Sequence, residues 1–188
     1  GCDGEALRKL CDKPAALISF MTGLGARRIT SNHCLAVGNA AAKLHMAAKD
    51  FDLSRKNSLD IPAWRKIFEL TKARAGEIDD RIVIEIEKEL EVLDQNWPEN
   101  LPSGIIHADL FPDNVFFKGK KLSGIIDFYF ACNGFLAYEI ATCINAWCFE
   151  RDGSFNSNKA SSLIEGYNSV RPLEKIEIDF LPLLARGS

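Results

Sequence analysis

Three polar residues at short, fixed intervals could do chemistry: Asp109, Asn114 and Asp127. They lie in His107-Ala108-Asp109-Leu110-Phe111-Pro112-Asp113-Asn114 and in Ile125-Ile126-Asp127-Phe128. Between Asn114 and Asp127 stand two apolar runs, Val115-Phe116-Phe117 and the stretch 122–127, joined by a short segment bearing Gly119. That pattern predicts a β-hairpin. A first strand that follows Asn114 and a second that ends at Asp127 set these two residues side by side. Carboxylate and amide oxygens converging on one point suit a hard cation such as Mg²⁺. Asp109, upstream, is then free to accept a proton or to orient a hydroxyl.

The order of these groups matches the kinase catalytic loop, H-R-D-L-x-x-x-N followed by D-F-G. Here it reads H-A-D-L-F-P-D-N followed by D-F-Y. Alanine in place of arginine, and no A-P-E segment downstream, argue against a protein kinase. The chain resembles instead the aminoglycoside phosphotransferase/choline kinase family of the protein-kinase-like fold, which has H-G-D or H-A-D at this point. The resemblance implies an α+β fold: a large, C-terminal kinase lobe, mostly helical, with a small β-hairpin at the catalytic site. It implies ATP and Mg²⁺ as cofactors, Asp109 as the catalytic base, and Asn114 and Asp127 as the metal ligands. His107 matches the catalytic-loop histidine, expected to brace the loop rather than to move a proton. Glu139, in Tyr138-Glu139-Ile140-Ala141, stands where the family has a bracing aspartate. Upstream, the segment 14–23 resembles the last small-lobe strand and hinge, with the backbone around Ser19, Phe20 and Met21 facing the adenine. From its residues alone, Pro14–Phe20 reads equally as a buried core strand.

Within that family the chain resembles the homoserine kinases. The similarity rests on the loop 50–59 with Arg55, Asn57 and Leu59 followed by Trp64, and on Asn145-Ala146-Trp147-Cys148-Phe149-Glu150. The implied reaction is ATP-dependent phosphorylation of the hydroxyl of L-homoserine to O-phospho-L-homoserine, a step of threonine biosynthesis. A zwitterionic acceptor needs an anion for its ammonium and a cation for its carboxylate. Asp113, Tyr129, Asn145 and Glu150 are candidates for the first, and Arg27, Arg28 or Arg55 for the second. Choline or ethanolamine remains an alternative, since Trp147, Phe149, Tyr129 and Phe130 could form an aromatic cage. So do an aminoglycoside acceptor, a metal-dependent hydrolase and an inactive kinase-like binding module.

A net charge of −3 gives no global attraction for nucleic acid or anionic lipid, so a small molecule is the expected partner. No apolar run approaches membrane-spanning length. Six cysteines without metal spacing read as reduced thiols packed as small hydrophobes, and place the chain in the cytoplasm. Oligomeric state is not encoded in any pattern found.

The elements that must position these groups follow from periodicity. Val37, Ala41, Leu44 and Ala48 predict a helix over 32–49, capped by Ser31 or Asn32. His45 is expected to pack or cap, and His33 to be exposed near the helix start. A loop covers 50–61, and Asp60 with Pro62 starts a helix packed through Trp64, Ile67, Phe68 and Thr71. Ile82, Ile86, Leu90 and Leu93 stripe a third helix over 79–96. A fourth follows Gly134, and two more are expected near 156–169 and after 174. Residues 1–24 are expected to be the end of a small lobe plus hinge, and 25–188 a large lobe incomplete at its N-terminal side and at its C-terminal end. On that division, the 188 residues alone should have little kinase activity, because half of the nucleotide cleft is absent.

Overall fold

The structure is a computed structural model that describes residues 7–188. Cys2 therefore lies outside the described residues. Among the described residues, six α-helices and three separate two-stranded antiparallel sheets make an α+β architecture. In chain order these are β1 (Leu7–Leu10), β2 (Lys13–Ala16), α1 (Ser31–Ala47), α2 (Ile61–Ile78), α3 (Asp80–Asn96), β3 (Ser103–Ile106), β4 (Val115–Lys118), β5 (Lys121–Ile125), β6 (Cys132–Phe135), α4 (Leu136–Trp147), α5 (Ser157–Asn168) and α6 (Lys175–Arg186).

The core sits where α1, α4 and α5 meet the segment 101–117. Val37, Ala41, Leu110, Val115, Ile140, Trp147, Leu163 and Leu184 share one buried cluster. Two glycines let α1 and α5 approach backbone to backbone. A Cβ at Gly38 would collide with the Leu163 carbonyl, and one at Gly166 with the Leu35 carbonyl. Four of the five described cysteines are buried, all five are free, and only Cys11 is exposed. No described helix is long and apolar enough to cross a membrane.

Helix starts follow local chemistry, with one revision. Asp60 caps α2 by accepting from the Ala63 amide at 3.1 Å, and Pro62 sits in its first turn, where no amide is needed. The cap of α1 is Thr30, not Ser31 or Asn32. His33 is half-buried rather than exposed: its Nδ1 lies 3.2 Å from the Thr30 amide and its ring packs on Phe117 at 4.6 Å. The neighbour that covers it comes from a strand distant in sequence.

Three other expectations change. Residues 14–20 are not one buried strand. Only Lys13–Ala16 is strand, paired with Leu7–Leu10, and Leu17, Ile18 and Phe20 are exposed. A two-stranded hairpin without a covering layer buries neither face. On α2 the packed side is Ile61 and Phe68, whereas Ile67 and Thr71 face outward. On α3 the stripe is covered only at its C-terminal end, by burial of Leu90 and Leu93, while Ile82 is exposed. The two helices form an antiparallel pair whose far end no other described element covers.

Candidate active site

The segment 103–135 builds the site from two nested antiparallel pairs. β3 pairs with β6, and β4 with β5, so the loop between β3 and β4 and the turn between β5 and β6 emerge together. The β3–β6 pairing is absent from the sequence reading, because Cys132–Phe135 carries no alternation. The β4–β5 hairpin closes as expected. Val115 and Phe117 turn into the core, and Gly119 takes a left-handed φ of 63° at the turn. At the open end Val115 stands opposite Ile125, and the Ile126 amide donates to the Asn114 carbonyl at 3.0 Å. Asn114 and Asp127 are therefore neighbours across the hairpin mouth.

Asn114 also fixes Asp109. Its Nδ2 donates to the Asp109 carbonyl at 2.8 Å and to the Asp109 carboxylate at 2.9 Å. With both amide hydrogens directed at Asp109, Oδ1 is the atom left to face a cation. Asp127, exposed and left-handed at φ 62°, adds carboxylate oxygens from the other strand. Oxygen donors of this kind are the chemistry that a hard cation such as Mg²⁺ would take.

The loop holds its shape through a buried brace. Glu139 is fully buried near the start of α4, and its carboxylate accepts from the amides of His107 and Ala108. Ala108 has a left-handed φ of 62°. Glycine relaxes that geometry and alanine tolerates it, the physical sense of H-G-D and H-A-D alternating here. His107 is buried with both ring nitrogens engaged: Nδ1 accepts from the Asp109 amide at 3.2 Å, and Nε2 faces the Ile126 carbonyl at 2.9 Å. A carbonyl can only accept, so Nε2 carries the proton and the ring is a neutral strut between Asp109 and the strand of Asp127.

The sequence candidates separate into groups. Ser19, Phe20 and Met21 line a cavity of about 270 Å³ with Ile18, Phe116 and Ile126, next to Asp127. Arg55 stacks over Tyr129 at 5.6 Å and donates to the Tyr129 carbonyl, two residues beyond Asp127. Its backbone is joined to Asn133, whose amide donates to the Arg55 carbonyl at 2.8 Å. Glu150 lies elsewhere, in a cavity of about 600 Å³ with Arg27, Arg28, Phe149, Arg151 and Lys159. Chain neighbours of its lining reach the 107–114 loop: a Cβ on Gly25, which precedes Ala26, would stand 3.5 Å from the Pro112 carbonyl, and Trp147 Nε1 donates to the Leu110 carbonyl at 2.8 Å.

Two candidates do not join these groups. Asp113 is exposed in the 3₁₀ turn Pro112–Asn114. Asn145 donates its amide to the Ala185 carbonyl at 2.6 Å and to Ser188 Oγ at 2.9 Å, which makes it a tie to α6. Nor do the four aromatics form a cage. Trp147 is fully buried, Tyr129 packs with Phe130, and Phe149 packs with Phe155.

Lys159 and His45 were not singled out for the site from sequence. Lys159 is buried and pairs with Glu150 at 2.7 Å; that ammonium, with Asn156, holds the Glu150 carboxyl below the usual range. Asp152 also lines the cavity, so four cationic side chains (Arg27, Arg28, Arg151 and Lys159) face two carboxylates, and among the described residues no carboxylate pairs with Arg27, Arg28 or Arg151. No local signal joins residues 27 and 28 to 150–159, since tertiary packing alone brings them together. Beneath the loop, His45 Nε2 lies 3.7 Å from Glu139 Oε2.

Burial pushes the phenols of Tyr138 and Tyr167 up to about 12. Raised folded-state values mean that this stabilising contribution is complete below the unfolded value near 10 and is lost as pH climbs from about 10 towards 12. Difference absorbance at 295 nm between wild type and Tyr167→Phe should show no Tyr167 phenolate below about pH 11. A phenolate at pH 10 in the folded protein would contradict its burial.

An aspartate tethered by an asparagine, with a second aspartate at the far end of the following hairpin, is the arrangement of the catalytic lobe of the kinase-like phosphotransferases. The chain matches the phosphotransferase enzyme family (APH) over residues 1–173 and belongs to that family. It is 55% identical over 186 residues to the homoserine kinase of Chelativorans sp. (strain BNC1), covering 99% of this chain and 58% of the relative. It is 54% identical over 194 residues to that of Paramagnetospirillum magneticum, covering 100% and 60%. The chain thus spans less than two thirds of these relatives. Solved structures share the fold at low identity. An aminoglycoside-3'-phosphotransferase of type VIII superposes with a TM-score of 0.65 at 18% identity, covering 90% of this chain and 67% of that one. An amicoumacin kinase in complex with AMP-PNP and Ca²⁺ gives 0.66 at 13%, covering 97% and 58%.

Proposed function

We propose that this chain carries the catalytic loop, metal ligands and acceptor pocket of an ATP-dependent homoserine kinase, with residues 1–24 as the end of a small lobe plus hinge and 25–188 as the large lobe. The observation that carries this reading is Asn114 Nδ2 holding the Asp109 carboxylate at 2.9 Å, at the mouth of the hairpin whose second strand leads to Asp127. The homoserine kinases named above supply the acceptor. Asp109 orients the γ-hydroxyl and takes its proton. Asn114 and Asp127 would hold Mg²⁺, which supplies charge neutralisation to the phosphates. The backbone of Ser19–Met21 would face the adenine, in the cavity that these residues line with Phe116 and Ile126. Positioning and electrostatics are the main requirements of phosphoryl transfer, and these residues meet them.

In this reading the acceptor's carboxylate lies in the cavity of about 600 Å³, against Arg27 and Arg28. Glu150 offers the ammonium only Oε2, since Lys159 and Asn156 both engage Oε1. Choline has no carboxylate to match these arginines, and its cage is not assembled. The test is ADP release from Mg-ATP by the gene product at its full natural length, with L-homoserine, choline and kanamycin offered separately. Turnover with homoserine alone is expected. Turnover with another acceptor only would keep the mechanism and discard the substrate. The double variant Arg27→Gln/Arg28→Gln should raise KM for homoserine roughly 10- to 100-fold, as expected for losing charge-assisted bonds of about 1.5–3 kcal/mol. KM for ATP should stay within about twofold. An unchanged homoserine KM would remove this cavity from the acceptor site.

A further inference from the structure

A line of polar side chains crosses the core from the catalytic loop to the last helix. Glu139 accepts from the loop amides, and His45 Nε2 faces it at 3.7 Å. His45 Nδ1 meets the Tyr167 hydroxyl at 2.8 Å. Arg171 Nη1 donates to that hydroxyl at 3.1 Å and to Glu177 Oε1 at 3.1 Å, while Nη2 donates to Glu177 Oε2 at 3.0 Å. Glu139, Tyr167 and Glu177 are fully buried, and His45 is 5% exposed. His45 Nε2 is buried without a hydrogen-bond partner at bonding distance. An unpartnered buried polar atom is costly, so the Glu139 carboxylate 3.7 Å away matters.

The bond directions follow from the two ends. A guanidinium can only donate, so the Tyr167 oxygen accepts from Arg171 and its hydrogen is free for His45 Nδ1; the reverse bond would leave that hydrogen unpartnered and turn the Nε2 lone pair towards the Glu139 carboxylate. That places the imidazole proton on Nε2, aimed at the Glu139 carboxylate. Arg171, fixed by both oxygens of Glu177, thereby orients a hydroxyl four residues away and, through it, a ring on α1. We propose that Tyr167 is a positioning residue for the catalytic loop. Its hydroxyl, set by the Arg171–Glu177 pair, selects the His45 tautomer that steadies Glu139 and, through Glu139, the backbone leading to Asp109. Glu177 also accepts from the Glu174 amide at 2.9 Å, so the corner between α5 and α6 is built into the same chain of bonds. The consequence for catalysis rests on the kinase reading; the bonding order does not.

Long-range ¹⁵N–¹H NMR of the imidazoles in the 188-residue chain tests the order directly. His45 is expected as the Nε2–H tautomer, and an Nδ1–H tautomer in the wild type would overturn the proposal without any variant. In Tyr167→Phe the tautomer preference should be lost. Amide hydrogen exchange at His107 and Ala108 should then rise by at least about tenfold, the equivalent of about 1.4 kcal/mol. Exchange at Phe117 in the β4–β5 hairpin should not change. Equal acceleration at all three amides, or none, would show that Tyr167 serves stability alone. Arg171→Lys, which keeps the charge near Glu177 but loses the fork, should move the same two amides less. In the gene product, Tyr167→Phe should lower kcat and leave both KM values near wild type; raised KM values with normal kcat would also overturn positioning. The NMR readouts decide the proposal whether or not wild type transfers phosphate, so its failure is distinct from failure of the kinase reading.

Discussion

Asp109→Asn is expected to reduce phosphoryl transfer by roughly 10²- to 10⁴-fold in kcat while leaving Mg-nucleotide affinity within a few-fold. The substitution is nearly isosteric. The Asn114 amide, now 2.9 Å from the Asp109 carboxylate, can donate equally to a carboxamide oxygen, so the loop keeps its shape. The lost property is the ability to accept the acceptor's proton. Asn114 and Asp127 are untouched, and they are the groups assigned to the metal. Asn114→Ala offers the contrast: it removes the oxygen proposed to face the metal and the tether to Asp109 together, and should weaken nucleotide binding as well as transfer. Steady-state kinetics with nucleotide titration separate the two. Transfer by Asp109→Asn within tenfold of wild type would show that the base is another group.

The second large effect is structural. Gly166→Ala should destabilise the fold by about 2–4 kcal/mol, because overpacking at this crossing meets backbone rather than a movable side chain. The atoms in the way are the carbonyl oxygen, carbonyl carbon and Cα of Leu35, the last at 3.0 Å from an added Cβ. Gly38 makes the reciprocal approach to Leu163 and Tyr167, so neither helix can shift aside without parting the other contact. A drop in Tm of roughly 5–15 °C by circular dichroism is the expected readout for a chain of this length. A shift under about 2 °C would mean that α1 and α5 can slide apart cheaply. Gly166 adjoins Tyr167, so the same variant should disturb the His45 contact, an effect absent from Asp109→Asn.

The reading of residues 14–23 shows how sequence pattern and packing divide the work. Apolar Pro14–Phe20 signals burial, yet only Lys13–Ala16 forms strand and most of the run is exposed. An apolar run reports the tendency to be covered, and cannot name what covers it. Even so, Ser19–Met21 comes to lie over Phe116 and Ile126. Arg55 and Tyr129, proposed separately from sequence, meet beside Asp127. Asn145 and Trp147 went the other way, since α6 and the core consumed polar and aromatic groups that looked available.

What the sequence determined by itself is local. The hairpin that carries Asn114 at one end and leads to Asp127 at the other closes through a two-residue turn, and the helix limits follow from caps and breakers such as Asp60, Pro62 and Pro98. Those interactions span a few residues, so composition and spacing encode them directly. What the tertiary structure decided spans the chain. The β3–β6 ladder, the closeness of Arg27 and Arg28 to Glu150, and the meeting of His45 with Tyr167, 122 positions apart, depend on helices crossing at glycines that look unremarkable in a one-dimensional reading. Burial there removes water, leaves each polar group in need of a specific partner, and so makes geometry, rather than residue type, the determinant of its role.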